Sequence, residues 1–330
     1  MQAVVYDALG KATVRQIDAR EPGPGEALVR TKASGICHTD IDILHGRYGN
    51  ADFPIVPGHE YAGIVETVGA GVNDVQPGDR VVIDPNIGCG VCRPCRQGRI
   101  NLCESLGAYG VTANGGFAEY STVMTSHIVP IGEMPYEVAA FAEPMGCVLN
   151  GVEAVGADGV EKAIIFGAGP IGILIAMALR ARNVSKVSLV DIEESRLELV
   201  ESMGFTALAS GSDGLAACKG KLDLAVDATG VPNVASGLIH YLDNGGKVLF
   251  FGVCPPDFRM EISPFEVFRR QLTLAGSHSL NCNIPEALDV LKIVGEDVKR
   301  LVSHSLPLAE IPRFLLGKAE TSKLKVQAVM

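Results

Sequence analysis

Four of the nine cysteines lie close together in a segment rich in glycine. Their spacing is C-x2-C-x2-C-x7-C, and the residues are Cys89, Cys92, Cys95 and Cys103. Four thiolates at this spacing fit a tetrahedral Zn²⁺ site that leaves no position for water. Iron–sulfur runs differ in spacing and usually end in Cys-Pro, whereas Glu104 follows the last cysteine here, and coincidental free thiols are the other alternative. The cluster therefore predicts a structural zinc that stabilises a loop and leaves the chemistry to other residues.

A second pair of metal-ligand residue types lies nearer the amino terminus. Cys37 in the segment G-I-C-H-T-D (35–40) and His59 in P-G-H-E-Y-A-G (57–63) supply a thiolate and an imidazole. These are two of the three protein ligands that an open, catalytic zinc needs. On spacing alone, a buried thiol and a core histidine are the simpler interpretation, so the pair does not establish a metal site by itself.

A glycine-rich turn indicates a bound dinucleotide. The turn is G-A-G-P-I-G, which follows the apolar run 163–166 and opens an apolar helix; its residues include Gly167, Gly169, Pro170, Ile171 and Gly172. The first glycine permits a tight turn, the second lets backbone approach a pyrophosphate, and the third allows close packing of helix on strand. The amino terminus of the helix then attracts the phosphates.

The residue at the end of the next predicted strand bears on which dinucleotide binds. It is Asp191, whose carboxylate can accept hydrogen bonds from the adenosine ribose. Because a carboxylate repels a 2′-phosphate, NAD is favoured over NADP. Arg196 complicates this choice, since its guanidinium could pair with that phosphate; alternatively it is a solvated helix residue beside Glu193 and Glu194.

Two kinds of region must position these residues. In the first 125 residues, short strands (27–32, 62–68 and 80–83) alternate with Gly/Pro turns, which is typical of a mainly β domain. From about residue 148, strands (163–167, 186–191, 222–228 and 247–253) alternate with helices (171–182, 193–203 and 233–242), which predicts βαβ units and a parallel sheet. A helix over 284–294 and a strand over 324–330 follow. The uncharged run 163–179 is short for a membrane span and rich in glycine, so strand, turn and helix explain it better.

Composition narrows the function classes. The 330 residues suffice for about two domains, and 47% hydrophobic with 20% charged residues excludes a disordered chain. A net charge of −10 opposes nucleic-acid binding, which requires clustered Lys and Arg. The amino end lacks the pattern of a signal peptide, so a cytoplasmic protein with no membrane segment is expected. Nine cysteines in such a chain favour metal binding over disulfides.

Taken together, these segments resemble the zinc-dependent medium-chain dehydrogenases, a family that includes alcohol, polyol and threonine dehydrogenases. The resemblance covers essentially the whole chain, with the motifs in family order. It rests on G-I-C-H-T-D (35–40), P-G-H-E-Y-A-G (57–63), the four-cysteine cluster, G-G-F-A-E-Y (115–120), A-E-P (142–144) and G-A-G-P-I-G (167–172).

The resemblance implies an α/β protein with two domains and a chain that crosses between them twice. A mainly β, GroES-like catalytic domain would comprise residues 1–147 and 285–330. A Rossmann domain, with a doubly wound parallel sheet, would comprise residues 148–284 and bind NAD. The family also implies two zinc ions per chain and a homo-oligomer, either a dimer or a tetramer.

By position, the resemblance implies that Cys37, His59 and Glu143 ligate the catalytic zinc. Glu60 would lie beside the metal or exchange with a bound water as ligand. Thr39 would take the proton of the substrate. Asp40 would orient the ligating histidine, a role with physical sense because it fixes the tautomer.

Other family positions are less completely matched. Where relatives often have a histidine in the outer proton relay, this chain has Asp42, and His45 comes three residues later. His38 would contact the cofactor pyrophosphate or remain a surface residue, and Cys147 would face the nicotinamide or be a buried thiol. The nicotinamide would approach the segments 251–253 and 277–279, which contain Gly252, Val253, Ser277 and His278.

The implied reaction is NAD-dependent oxidation of a secondary alcohol. Glu143, followed by Pro144, favours a polyol or sugar alcohol, because ethanol-oxidising relatives have cysteine at the glutamate position. Arg47, Tyr48 and Asn86 offer polar contacts to such a substrate. Threonine and simple alcohols are the alternative substrates. A non-catalytic structural protein of the same fold is the alternative function, and the presence of all three zinc ligands opposes it.

Overall fold

Two units, each built on its own sheet, make up this computed structural model, which describes residues 1–47, 52–317 and 324–330. The first unit comprises residues 1–146 and 280–330, and the second comprises residues 147–279. The first unit therefore contains both the beginning and the end of the chain.

The regular elements are short and closely spaced. The strands are β1 (Gln2–Ala8), β2 (Lys11–Gln16), β3 (Glu26–Gly35), β4 (Glu60–Val68), β5 (Arg80–Ile83), β6 (Asn86–Ile87), β7 (Gly107–Ala108), β8 (Tyr120–Met124), β9 (Ile128–Pro130), β10 (Lys162–Phe166), β11 (Lys186–Asp191), β12 (Thr206–Ala209), β13 (Leu222–Asp227), β14 (Leu242–Phe250), β15 (Thr273–Gly276), β16 (Val302–Pro307) and β17 (Lys325–Val329). The α-helices are α1 (His38–Leu44), α2 (Arg93–Arg96), α3 (Tyr136–Ala139), α4 (Ala142–Ala154), α5 (Pro170–Ala181), α6 (Glu194–Ser202), α7 (Asp213–Ala216), α8 (Pro232–Gly237), α9 (Pro264–Arg270), α10 (Ile284–Val294) and α11 (Ile311–Leu315).

The first unit is built on a largely antiparallel sheet in the order β16-β17-β3-β4-β5-β9, with β8 also paired to β3. Strand β17, at the end of the chain, pairs antiparallel with β3 and sets Gln327 opposite Gly35. The chain end therefore lies beside the segment that leads to Cys37. The mainly β character and the strands predicted over 27–32, 62–68 and 80–83 are confirmed.

The second unit is built on a six-stranded sheet in the order β12-β11-β10-β13-β14-β15, in which all neighbours are parallel. This is the order of a doubly wound dinucleotide-binding sheet, with the topological switch point between β10 and β13. The predicted alternation of strand and helix is confirmed.

One boundary in the second unit differs from the prediction. The helix predicted over 233–242 ends as α8 at Gly237 with a 3-10 turn over Leu238–Tyr241, and β14 begins at Leu242, five residues earlier than predicted. The D-N-G-G segment at 243–246 has the composition of a turn. In the structure it is an irregularity within the strand, because pairing passes from Leu222–Leu242 directly to Leu224–Lys247.

The uncharged run 163–179 is divided among β10, the glycine-rich turn and α5. Every residue of α5 from Gly172 to Leu179 is buried. A helix that is apolar on all sides is expected in such a position. Among the described residues, no helix is both long enough and apolar enough to cross a membrane.

Candidate functional site

The four clustered cysteines bring their sulfurs to metal-binding distance. All four Sγ atoms lie within 4.8 Å of one another. The Sγ atoms of Cys89 and Cys95 are 4.0 Å apart, and those of Cys92 and Cys103 are 3.9 Å apart. A Zn–S bond of about 2.3 Å in tetrahedral geometry places sulfurs about 3.8 Å apart. The arrangement therefore has the size of a zinc–tetrathiolate site.

Electrostatics at this cluster also favour a cation. Backbone N–H groups of Val91 and Cys92 lower the pKa of the Cys89 thiol to about 6. Burial raises the pKa of the Cys95 thiol to about 12. A thiol with so high a pKa stays protonated at neutral pH, whereas a coordinated metal deprotonates it outright. The residues fit a structural zinc.

An asparagine from another part of the first unit holds the cysteine segment. The backbone N–H of Ile100 donates to Oδ1 of Asn281 at 2.9 Å, and Nδ2 of Asn281 donates to the carbonyl of Gly98 at 3.0 Å. The single side chain of Asn281 therefore holds the backbone between Cys95 and Cys103 at two points, one N–H group and one carbonyl group.

A second metal-sized cluster forms where α1 and β4 begin. Cys37 is the N-cap of α1, His59 precedes β4 and Glu60 opens it, and ligand atoms of all three lie within 4.8 Å of one another. Buried Asp40 fixes the arrangement, because Oδ2 accepts the backbone N–H of Cys37 at 2.8 Å and Oδ1 accepts that of Gly58 at 3.3 Å.

The same Asp40 carboxylate orients the imidazole. Nδ1 of His59 lies 3.3 Å from Oδ1 of Asp40, which leaves Nε2 as the nitrogen to coordinate a metal. Burial lowers the pKa of His59, but the charges and hydrogen bonds of Asp40 and Cys37 outweigh it and raise the pKa well above its usual value. The site therefore attracts positive charge at this imidazole.

A buried ion pair lies directly against this cluster. Nζ of Lys325, on β17, donates to Oε1 of Glu60 at 2.6 Å and also contacts Oε2. Lys325 is 7% exposed and Glu60 is 1% exposed. A side chain at Gly35 would overlap Oε2 of Glu60, so the glycine at the end of β3 makes room for the pair.

Glu143 lies in the first turn of α4 and is buried. It does not belong to the 4.8 Å group of Cys37, His59 and Glu60. Burial lowers the pKa of Lys325, but nearby negative charges raise it overall, Glu60 most and Glu143 least. Glu143 is therefore near enough to Lys325 for its charge to affect that pKa. Two buried carboxylates, those of Glu60 and Glu143, thus act on one buried lysine. A divalent cation would balance the remaining negative charge.

Several side chains of α1 that do not belong to the metal-sized cluster are more exposed to solvent. Thr39 is half-buried in the first turn of α1, two residues after Cys37. The His38 side chain is 80% exposed, with Nε2 3.7 Å from Asp42. Asp42 accepts a hydrogen bond from Nε of Arg47 at 2.8 Å, and Nδ1 of His45 lies 2.8 Å from the carbonyl of Ile41, both within or beside α1.

Of the polar residues suggested as substrate contacts, Asn86 has a structural contact instead. Its side chain is buried and Nδ2 donates to the carbonyl of Leu280 at 2.8 Å. Tyr48 lies outside the described residues. Cys147 is half-buried within α4.

The glycine-rich turn has the predicted geometry in the second unit. Gly167 follows β10 with a φ of +103°, which only glycine adopts readily. A side chain at Gly172 would overlap the carbonyl of Gly167, so α5 packs closely on the strand. Gly169, the N-cap of α5, has open space where a Cβ would stand, and Pro170 and Ile171 begin the helix. The turn fits a pyrophosphate that approaches the backbone at Gly169.

The carboxylate of Asp191 is buried at the end of β11 and ties the turn to the next loop. Oδ2 accepts the N–H of Ala168 at 2.7 Å, and Oδ1 accepts those of Ile192 at 2.8 Å and Glu193 at 3.0 Å. Nη1 of Arg196 lies 3.5 Å from Oδ2. Arg196 thus faces Asp191, in addition to standing near the two glutamates in sequence.

The carboxyl ends of the parallel strands carry exposed apolar side chains. Val253, in the loop after β14, is 91% exposed, and Ile192, after β11, is 83% exposed. Gly252 precedes Val253, and Ser277 and His278 follow β15. Ligands of doubly wound sheets bind at this edge, so a ligand here would cover apolar surface that is otherwise in water.

Known proteins share both the zinc-binding and the dinucleotide-binding parts of this chain. Residues 23–133 match the alcohol dehydrogenase GroES-like domain, and residues 170–292 match the zinc-binding dehydrogenase domain. The chain is 50% identical over 332 residues to D-altritol 5-dehydrogenase of Agrobacterium fabrum, with 99% of each protein covered. The chain belongs to the zinc-dependent medium-chain dehydrogenases.

Other members of this family are also similar. L-threonine 3-dehydrogenase of Rhizobium rhizogenes is 32% identical over 274 residues, which cover 80% of this chain and 79% of that protein. The crystal structure of a zinc-binding dehydrogenase from Sinorhizobium meliloti 1021 bound to NADP has a TM-score of 0.94 at 33% identity, with 100% of this chain and 99% of that chain covered.

Membership of the medium-chain dehydrogenases confirms three predictions made from the sequence. The fold combines a GroES-like domain with a Rossmann domain. The protein is an oxidoreductase. Zinc and a nicotinamide nucleotide are its cofactors, and the cysteine clusters and the glycine-rich turn fit them.

Two residues that shape this dehydrogenase site were missed by the sequence analysis. Lys325 is a lone charge inside the apolar strand predicted over 324–330, and that isolation is the signal that could have marked it as a buried partner. Asn281 had no distinguishing pattern, since its importance depends on Gly98 and Ile100, far away in sequence.

Proposed function

We propose that the protein oxidises a secondary hydroxyl group of a polyol or sugar alcohol and transfers the hydride to NAD. The observation that carries this proposal is the full-length identity of 50% to a D-altritol dehydrogenase. The cluster of half-buried Cys37 and buried His59 supports it, because among the described residues it contains a carboxylate rather than a second thiol.

In this proposal the first unit holds both metal ions. Cys37, His59 and Glu143 hold the catalytic zinc, and Glu60 stays next to it, paired with Lys325. The four clustered cysteines hold the structural zinc. The catalytic zinc, when bound, supplies a Lewis acid that makes the substrate hydroxyl more acidic.

In the first unit, the residues of the site move one proton and keep the ligating histidine correctly oriented. The reaction converts a secondary alcohol and NAD⁺ into a ketone, NADH and one proton. Thr39, half-buried beside Cys37, accepts the hydroxyl proton and passes it towards solvent. Asp40 keeps His59 in the tautomer that presents Nε2. Asp42 is engaged by Arg47, so we do not place it in the relay.

The second unit binds the cofactor in this proposal. The pyrophosphate lies against the turn at Gly169, and the nicotinamide approaches Gly252, Val253, Ser277 and His278. The ribose binds near Asp191, whose negative charge favours NAD. Arg196 is the residue that would tolerate a 2′-phosphate, and the similar Sinorhizobium protein was crystallised with NADP.

L-Threonine is the second candidate substrate. The observation in its favour is the 32% identity to a threonine 3-dehydrogenase over 274 residues. The identity is lower and the coverage shorter than for the polyol dehydrogenase.

We further propose that the protein is a cytoplasmic homo-oligomer, a dimer or a tetramer. The nine cysteines form no disulfide with one another, which suits a reducing compartment. Strand β15 ends the parallel sheet, and Phe265 and Phe268 on the preceding helix are both largely exposed. An edge strand beside exposed aromatic side chains is suited to pairing with a second copy.

The test is a steady-state screen of D-altritol, other sugar alcohols, L-threonine and ethanol, each with NAD and with NADP. We expect the highest kcat/KM for a sugar alcohol with NAD. A higher value for threonine would establish the second candidate. Turnover of ethanol as efficient as that of any polyol would overturn the proposed substrate class.

A further inference from the structure

A fully buried carboxylate at the end of β13 has its hydrogen bonds concentrated on one turn. Asp227 is 0% exposed. Oδ1 accepts the backbone N–H of Thr229 at 2.8 Å and its hydroxyl at 2.6 Å, and the N–H of Gly230 lies 3.2 Å from both carboxylate oxygens. Burying a carboxylate is costly unless it is well hydrogen-bonded, so the turn over residues 227–230 is strongly specified.

The hydroxyl of Thr229 extends this arrangement by one residue. It donates to Asp227 and accepts the backbone N–H of Val231 at 2.9 Å. The side chain therefore links the buried carboxylate to the start of the loop that leads into α8.

This turn is in contact with the segment that we assign to the nicotinamide. The backbone carbonyl of Asp227 accepts the N–H groups of Phe251 at 3.1 Å and Gly252 at 2.8 Å. A side chain at Gly252 would overlap the nitrogen of Gly230, and one at Gly230 would overlap the carbonyl of Val253. The two backbones thus pack together without room for a Cβ.

On its other side the turn meets the glycine-rich turn. Strands β10 and β13 are neighbours, and the N–H of Ala228 donates to the carbonyl of Phe166 at 2.8 Å. A Cβ on Gly167 would lie 3.0 Å from Cγ2 of Thr229. The turn over 227–230 therefore stands at the topological switch point, between the segments proposed for the pyrophosphate and for the nicotinamide.

We infer that Asp227 and Thr229 are positioning residues for the nicotinamide half of the cofactor: the turn they define holds Gly252 and Val253 at a fixed distance from the glycine-rich turn. This inference rests on the proposed function, which assigns those two segments to the cofactor. Neither side chain needs to touch the cofactor, because the effect passes through the backbone contact of Gly230 with Gly252.

The test compares Thr229→Val, which removes the hydroxyl, with Thr229→Ser, which keeps it. Calorimetry measures the Kd for NADH and for ADP-ribose, which lacks the nicotinamide. Loss of a hydrogen bond to a charged group predicts that Thr229→Val weakens NADH binding about tenfold or more. We expect ADP-ribose affinity to change by less than about twofold, and Thr229→Ser to restore NADH binding. Leu238→Ala, which truncates a buried side chain elsewhere in the second unit, is the control for lost stability.

A loss of affinity that is equal for NADH and ADP-ribose would overturn the inference, because the turn would then have only a structural role. So would an unchanged affinity for NADH, or a Leu238→Ala variant with the same selective loss. In each of these cases the wild-type protein still binds NADH and turns over, so the proposed function stands. A wild-type protein that binds no nicotinamide nucleotide would overturn both.

Discussion

Replacing Lys325 by methionine tests the charge balance beside the catalytic cluster. The substitution keeps an unbranched side chain of similar length and removes the charge next to Glu60. At the observed separation of 2.6 Å, and with an effective dielectric constant of about 20, the Coulomb attraction is about 6 kcal/mol. Because relaxation and water recover part of it, removing one partner of a buried pair costs about 3–5 kcal/mol.

We therefore expect the free energy of unfolding of Lys325→Met to fall by about 3–5 kcal/mol. In a unit of about 200 residues, this corresponds to a fall in Tm of about 6–20 °C. The assay is urea unfolding followed by circular dichroism, with the zinc content of each variant measured in parallel. Lys32→Met is the matched control, since Lys32 lies on β3 of the same sheet and, within the part of the chain that the structure describes, its side chain makes one hydrogen bond, of 3.5 Å to the carbonyl of Met330.

A double-mutant cycle separates charge from packing. The variant Lys325→Met with Glu60→Gln removes both charges, so it should recover most of the stability that Lys325→Met loses. The reasoning is refuted if Lys325→Met is no less stable than Lys32→Met. It is also refuted if the two substitutions are additive, because the lysine would then contribute through packing alone.

Three further predictions concern the metal and cofactor sites. Glu143→Gln should remove one zinc per chain and turnover with it, while Glu60→Gln keeps two zinc ions by mass spectrometry; the reverse pattern would assign Glu60 as the ligand. Arg196→Ala should lower kcat/KM with NADP about tenfold and change it with NAD by less than about twofold, and an equal loss with both would deny it a role in cofactor choice. Asn281→Ala should lower the free energy of unfolding by about 1–3 kcal/mol and should speed the release of zinc from the four cysteines to a chelator. The control Asn73→Ala, in an exposed turn, should change neither quantity.

The sequence predicted most reliably the features that depend on neighbours along the chain. The four cysteines lie within one loop, and the turn at Gly167 links a strand directly to the helix it opens. Such segments carry their own geometry, because each glycine, cap or ligand is needed within a few residues of the next. The parallel strands were also found, since a buried strand has a continuous apolar run.

Contacts between distant segments could not be predicted in this way. Lys325 and Glu60 are 265 residues apart and meet because β17 pairs with β3. Asn281 and Ile100 are 181 residues apart. No local pattern specifies either contact, because the register of the sheet and the return of the chain decide which side chains meet. The start of β14 was missed for another reason: D-N-G-G is compatible with both a turn and an irregular strand.

Charge balance bears on which glutamate completes the catalytic metal site. Among the described residues, Glu60 supplies the carboxylate of the metal-sized group with Cys37 and His59, so distance alone points to it. If Glu60 bound the metal, however, its one negative charge would be shared between Lys325 and a second cation, which would weaken the ion pair. If Glu143 binds instead, the Glu60–Lys325 pair is preserved. Weakening a buried ion pair costs free energy, so we expect Glu143 to be the ligand and Glu60 to hold Lys325.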